Sequence, residues 1–481
     1  MYENTFKTLD NILRQESRMS TEPDYVEQAS WVLFLKYLAD YEIERCDRAE
    51  LSGKTYEPIL KSSFRWREWA YPIGANGKLD DNAIRIGDDL IEFVNNELFP
   101  YLRKLREDAD SSDSIEYKIG EIFSEIDNRY MSGYSLREVI DQVAGLNFNK
   151  SDTVHELSIL YEQRIKKMGN AGRTGGQYYT PRPLIRAMIK VIDPKIGETI
   201  YDGAAGSAGF LCEAYDYLNT GRLSARSLET LQKHTLYGQE KKGLSFIIGN
   251  MNMILHGIET PNLIYINTLK QDVMDIENKD RHDIILANPP FGGSGEEKSV
   301  QLNFPIRTSE PAYMFLQHFI RKMKAGGRAA IVIKNTFLSN GDASTLRKEL
   351  LTTCNLHTVL DLPAKVFQAG VRTVVLFFEK GKATKDIWYY QLDPGRSLGK
   401  TNPLNDDDLG EFIALQKSRA EGEKSWVVSV DGLHEETYDL SVKNPNAPQE
   451  APLRSPKEII DDIGARNSET AKALKEIKGI L

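Results

Sequence analysis

Cysteine is scarce: Cys46, Cys212 and Cys354 are the only three in 481 residues, far apart and without a C-x-x-C pair. This excludes a disulfide framework and a structural zinc site of the usual spacings, and makes a reducing cytoplasm the simplest compartment. Long apolar runs are also missing. The longest, Trp31–Ala39, is cut by Lys36 and falls short of the roughly 18 residues a membrane span needs, so none is expected. Met1 to Ser20 carries Glu3, Asp10 and Glu16 and no apolar core of signal-peptide length. Positive charge is not in excess either: 61 Lys and Arg face 70 Asp and Glu, a net −9. Such a total argues against a protein that coats nucleic acid by charge alone. The deficit is uneven, because Arg164, Lys166, Lys167, Arg173, Arg182, Arg186 and Lys190 form a stretch without an acid.

What is present is a globular chain, long enough for about three domains and a core that needs no metal or disulfide. Residues 1–168 have helical periodicity: Trp31, Phe34, Leu35, Leu38; then Leu90, Ile91, Val94, Leu98, a run Pro100 is expected to break; then Val154, Leu157, Tyr161, Ile165, Met168. The texture changes at the Gly-rich loop Gly169–Gly176. Over 169–382 short β-branched runs (Thr199–Asp202, Thr235–Gln239, Leu263–Ile266, Asp283–Ala287, Ala329–Lys334, Val359–Leu362, Thr373–Phe378) are mostly separated by helical ones (Leu184–Ile192, Lys242–Leu255, Ala312–Met323, Thr345–Leu351). That alternation predicts an α/β fold, with a mostly parallel sheet covered on both faces. Residues 383–454 are richer in Asp, Asn, Gly and Pro, with strand-like pieces at Trp388–Leu392 and Trp426–Val430, and are expected to extend that domain. At 455–481, Ser455-Pro456-Lys457-Glu458 is a capping-box start. One or two amphipathic helices, interrupted at Gly464, should follow.

Two segments carry chemistry. Asp202-Gly203-Ala204-Ala205-Gly206-Ser207-Ala208-Gly209 follows a strand and opens a helix, where small residues and free N–H groups let a nucleotide-like ligand approach. The pattern is not G-x-G-x-x-G, so a dinucleotide is not favoured; the acid that could hold two ribose hydroxyls comes later, at Glu240. The second segment is Asn288-Pro289-Pro290-Phe291, after Asp283–Ala287. Two prolines stiffen the turn and remove two donors, leaving the Asn288 side-chain oxygen and the Pro289 carbonyl as paired acceptors for a planar amino group, with the Phe291 ring beside them. No metal is expected, and Cys212 and Cys354 are expected to be small buried residues, which disfavours chemistry through a covalent cysteine.

With these motifs the sequence resembles the S-adenosylmethionine-dependent DNA adenine-N6 methyltransferases, whose tetrapeptide is D/N/S-P-P-Y/F/W. It is most similar to the modification subunits of type I restriction–modification systems. The likeness runs from the helical N-terminal region through Gln177-Tyr178-Tyr179-Thr180-Pro181-Arg182, Tyr237-Gly238-Gln239-Glu240, Asn267-Thr268-Leu269 and Leu362-Pro363 before Val366-Phe367, to Tyr438-Asp439-Leu440. It implies a Rossmann-like catalytic sheet at 169–382, with S-adenosylmethionine held by Gln177–Arg182, Asp202, Gly206, Ser207, Ala208, Gly209, Glu240 and Asn267. Asn288, Pro289, Pro290 and Phe291 would act on an adenine flipped out of duplex DNA, Phe291 stacking on the base and the loop Gly292–Arg307 closing over it. The implied partners are a specificity subunit that reads the site, a second copy of the chain and a restriction subunit; the C-terminal helices are candidates to dock on the specificity subunit, and Arg164–Lys190 to face phosphates. Two positions depart from the family: Gly203 replaces the usual proline, which should loosen the turn, and Asn267 stands where many relatives have Asp. Two alternatives stay open: methylation of a protein glutamine amide or an rRNA base, and a non-catalytic assembly subunit.

Overall fold

The computed structural model describes residues 2–74, 77–111, 114–149, 151–169, 179–291, 298–367, 371–399, 401–446 and 455–480. Their strands are β1 (Ile200–Asp202), β2 (Leu236–Glu240), β3 (Leu263–Tyr265), β4 (His282–Ala287), β5 (Met323–Lys334), β6 (Cys354–Asp361), β7 (Thr373–Lys380), β8 (Asp386–Gln391) and β9 (Ser425–Ser429). They form one sheet in the order β3-β2-β1-β4-β5-β7-β6-β8-β9. The pairs from β3 to β5 are parallel. β7 lies antiparallel between β5 and β6; β8 is parallel to β6, and β9 antiparallel to β8. β1 has β2 on one side and β4 on the other, so the winding reverses there, and in open α/β sheets ligands bind in the crevice at such a reversal.

The β-branched composition explains why these runs become central strands. Val374 to Phe378 of β7 are buried on both faces, as a sheet covered on both sides requires. One apolar core fills each face. The first is continuous with the N-terminal helices: it runs from Phe6 and Leu9 through Trp31 and Leu38 to Ile284 and Val375. The helix Gly243–Leu255 is buried from Ser245 to Leu255 because it contacts β2 and β3 on one side and the helices Glu22–Leu51 and Ser151–Gly169 on the other. Cys212 and Cys354 are fully buried.

Two expectations change, at Pro100 and at Gly464. Pro100 does not break its helix: Gly87–Phe93 continues through a π turn, Val94–Leu98, into Phe99–Asp108. The wider turn, closed by Phe99 N–H on the Val94 carbonyl, makes room where a proline ring would otherwise meet the preceding turn. Residues 383–454 contribute β8 and β9 to the same sheet, with Trp388 stacked on Phe412 (6.0 Å) and Tyr389 on Trp426 (5.3 Å). The helix Ala225–His234 was not anticipated; Leu231 is its one buried residue, too little periodicity to read. Finally, Gly464 does not interrupt the last helix, which runs unbroken over Pro456–Ile480; one internal glycine costs about 1 kcal/mol. Its expected cap is present, Ser455 and Glu458 exchanging bonds of 2.7 and 3.2 Å.

The far end of the sheet is fastened by a buried cation. The Arg347 guanidinium, fully buried, donates to the carbonyls of Phe337 (2.6 Å), Asn340 (2.8 Å), Thr437 (2.6 Å) and Tyr438 (2.8 Å). Tyr389 adds a bond to the Leu440 carbonyl (2.9 Å). The Tyr438-Asp439-Leu440 segment is therefore an internal strap.

In the helical region two helix starts touch backbone to backbone: a Cβ on Gly133 would sit 1.8 Å from the Gly87 carbonyl oxygen. Gly133→Ala should therefore cost about 1–3 kcal/mol or more of overpacking strain, read as a lowered urea midpoint; an unchanged midpoint would contradict that contact.

Candidate active site

The turn after β1 is shaped by left-handed backbone at Gly206 (φ 53°) and at Ala208 (φ 57°), the latter a conformation few side chains adopt. Bonds pin it from several sides. Glu240, at the end of β2, accepts the Gly206 N–H (2.8 Å) and the Lys242 N–H (2.8 Å), and the Ala205 N–H reaches the Gln239 carbonyl (3.0 Å). Glu240 is thus a buried brace for the turn, with its pKa raised by burial. Gly203 does not loosen the turn: Thr268 Oγ1 donates to its carbonyl (2.6 Å). A Cβ there would stand 2.7 Å from the Tyr201 hydroxyl and 3.0 Å from Phe319, so glycine fits where proline would collide.

Asp202 is 1 % exposed. One carboxylate oxygen accepts the Ala204 N–H (3.0 Å); the other is buried without a partner among the described residues. Burial first, then the neighbouring Glu240 charge, push its pKa up to about 8 against the Ala204 bond. A buried acid in this state attracts a cation or a donor.

Arg182 begins the helix Arg182–Ile192 and lies under the turn. Its Nε and Nη2 donate to the two oxygens of Glu162 (2.8 and 2.7 Å), Nη1 to the Thr180 carbonyl (3.2 Å) and Nη2 to Ser207 Oγ (3.4 Å). Its guanidinium also sits 5.0 Å from the Tyr179 ring centroid. A Cβ at Gly209 would fall 1.8 Å from Nη1, so only glycine lets the helix start rest on the guanidinium. Asn252 completes the cluster, donating to Glu162 (2.7 Å) and to the Ser207 carbonyl (2.9 Å).

Asn288 follows β4. Its Nδ2 donates to Thr180 Oγ1 (3.0 Å), which fixes the amide so that Oδ1 remains, buried and without a partner among the described residues. A narrow cleft joins this amide to the turn; its lining includes Tyr179, Thr180, Asp202, Gly206, Ser207 and Gly209 as well as Asn288. Phe291 lies at the border of the two cores and meets Phe367 edge to face (6.2 Å).

Not every expected residue converges. Gln177 and Tyr178 lie outside the described residues, as do Arg173 and residues 292–297. Pro181 and Ala208 shape the backbone without lining the cleft. Asn267, beyond β3, caps a short turn, Oδ1 accepting the Leu269 N–H (3.1 Å). The second half of the loop Gly292–Arg307 is anchored: Phe304 is buried, and Ile306 exchanges bonds with Gln317 (3.0 and 2.9 Å). Within the stretch Arg164–Lys190, Lys166, Lys167 and Lys190 are exposed, whereas three arginines are turned to acids. Arg164 pairs with Asp10, Arg182 with Glu162, and Arg186 with Glu213 (2.9 Å) and Asp406 (2.6 Å). Glu162 and Asn252 were missed, since no motif spacing links them to the turn.

Residues 152–452 match the family model N-6 DNA methylase, and residues 3–143 the HsdM N-terminal domain. The chain is 33% identical to the type I restriction enzyme EcoEI methylase subunit of Escherichia coli, over 99% of this chain and 97% of that one. Among solved structures, a modification subunit of a putative type I restriction enzyme from Vibrio vulnificus superposes with a TM-score of 0.80 at 35% identity, covering 92% of this chain and 96% of that one. A chain from a structural study of type I restriction–modification assembly and conformational transition gives 0.80 at 33%, covering 99% and 97%. With both family models matched and relatives alike over nearly its whole length, the chain belongs to the N-6 DNA methylases, among the methylase subunits of type I restriction enzymes.

Proposed function

We propose that the chain transfers a methyl group from S-adenosylmethionine to the N6 amine of an adenine flipped out of duplex DNA, as the modification subunit of a type I complex whose specificity subunit reads the site. The observation that carries this is the buried, unpartnered Asn288 Oδ1 in one cleft with the Asp202–Gly209 turn. A buried acceptor without a donor costs about 1–3 kcal/mol, which a ligand N–H recovers.

The residues fit a cationic, nucleoside-bearing donor: the orphaned, buried Asp202 oxygen suits positive charge, and the small-residue turn braced by Glu240 suits close approach. Asp202, Gly206, Ser207, Gly209, Tyr179 and Thr180 would hold it, with Asn267 and Glu240 toward its nucleoside end. Bound S-adenosylmethionine supplies an electrophilic methyl on a sulfonium. Asn288 Oδ1 and the Pro289 carbonyl accept the two hydrogens of the adenine amine, whose lone pair is otherwise delocalised into the ring. Drawing that nitrogen toward a tetrahedral shape aims its lone pair, and both acceptors strengthen as positive charge grows on it, so they favour the transition state. Phe291 stacks on the flipped base, with Phe367 holding its edge.

The last helix docks on the specificity subunit. Its side chains are exposed or half-buried, and Ile460, Ile463, Leu474 and Ile477, each 54–67 % exposed, fall on one seam, two heptads separating Ile460 from Leu474 and Ile463 from Ile477. A second copy of the chain and a restriction subunit complete the complex, in the cytoplasm. Among the described residues no helix is long and apolar enough to cross a membrane.

Methyl transfer to duplex DNA, measured with and without a co-expressed specificity subunit, should appear only in the assembled complex and mark adenine. Asn288→Ala should lower its rate by about 10²–10³, the usual loss for one pre-placed polar contact, while donor affinity stays within about twofold; undiminished turnover would remove Asn288 from its role.

A pH effect follows from Asp202. Its raised pKa means that the free protein carries this carboxyl mostly protonated at pH 7. A positive donor beside it favours the carboxylate, so binding at pH 7 should expel a proton, and affinity should rise with pH until about 8. Calorimetry in buffers of different ionisation enthalpy should detect that release, and Asp202→Asn should abolish it. Heats independent of buffer would contradict the assignment.

A further inference from the structure

We propose that Glu162, on the helix Ser151–Gly169, is a positioning residue for methyl transfer, holding the Ser207–Gly209 turn and the Asn288 amide in one fixed relation through Arg182. The inference rests on the reading above, in which those two places hold donor and target amine.

The Glu162 carboxylate accepts three bonds: Arg182 Nε (2.8 Å), Arg182 Nη2 (2.7 Å) and Asn252 Nδ2 (2.7 Å). From there the contacts divide. On one branch Arg182 Nη2 reaches Ser207 Oγ (3.4 Å) and Asn252 the Ser207 carbonyl (2.9 Å), while the guanidinium fills the space that a Cβ on Gly209 would need. On the other, Arg182 Nη1 holds the Thr180 carbonyl (3.2 Å), and Thr180 Oγ1 receives Asn288 Nδ2 (3.0 Å). The adjacent Tyr161 hydroxyl bonds to Ser30 of the helix Glu22–Leu51 (2.6 Å). That bond ties the helix carrying Glu162 to the N-terminal helices.

Glu162 does not line the cleft, so it acts only through its partners. Its charge has a reason. A largely buried guanidinium needs an opposite charge in bidentate geometry to keep one orientation, which a neutral acceptor supplies poorly. Burial alone would weaken the Glu162 charge, but Arg182 more than reverses this and holds its carboxyl below the usual range.

The test uses Glu162→Gln and, because an unpaired buried cation can unfold the protein, the double replacement Glu162→Met with Arg182→Met; apolar pairs of similar volume are often neutral for stability. Three quantities are measured: affinity and stoichiometry for S-adenosylmethionine on the full chain, turnover per donor-binding site on duplex DNA in the complex with the specificity subunit, and the melting midpoint. The folded variants should bind the donor at least about tenfold more weakly and also turn over at least about tenfold more slowly per site, approaching the roughly 10²-fold that small misplacements cost. A purely structural role predicts fewer binding sites with unaltered affinity and unaltered turnover per site. That result, or wild-type values in a folded double variant, overturns the proposal. A wild-type chain that binds the donor yet leaves duplex DNA unmethylated in the complex overturns the functional reading instead, and donor affinity still judges Glu162.

Discussion

A largely buried carboxylate–guanidinium pair between helices holds this molecule's cleft together. Neither Glu162 nor Arg182 would be stable alone in that place: an unpaired buried charge costs several kcal/mol, and the pair persists because its geometry satisfies both ions and Asn252 takes a further lone pair. The turn after β1 rests on that pair, as does the segment that orients Asn288. The glycine at 209 is a consequence of the same contact, since the guanidinium occupies the volume a side chain would need.

The cleft itself is polar and incomplete. Asp202 and Asn288 each keep a buried oxygen without a partner among the described residues. Native proteins satisfy almost all such atoms; these two, among several left unpaired in the described residues, come from the ends of adjacent parallel strands, β1 and β4, at the reversal of the sheet. Strand order and side-chain chemistry therefore converge on one place, one atom suited to a positive group and the other to an amine hydrogen.

Much of this was legible in the sequence. Runs such as Asp283–Ala287 and Thr373–Phe378 announce themselves as strands because they are buried on both faces, and Asn288-Pro289-Pro290-Phe291 carries its chemistry in four consecutive residues. What escaped reading depends on partners distant in the chain. The pieces around Trp388 and Trp426 look like strands, but only their pairing with Thr358–Asp361 and with each other adds them to the sheet. Arg164, Arg182 and Arg186 look like part of a charged surface until the folded chain brings Asp10, Glu162, Glu213 and Asp406 against them. Charge signs can be counted in a sequence; which charges face each other cannot.

The Arg347 strap sets a limit on how far the chain can be shortened from its carboxyl end. The helix Pro456–Ile480 is solvent-facing, and its removal strands no interior group among the described residues. Trimming as far as Thr437 is different: the guanidinium would lose two of its four carbonyl acceptors while remaining enclosed, and Tyr389 would lose its bond to Leu440. The tail thus divides into a detachable arm and a keystone, and the division falls between them rather than at the end of the sheet.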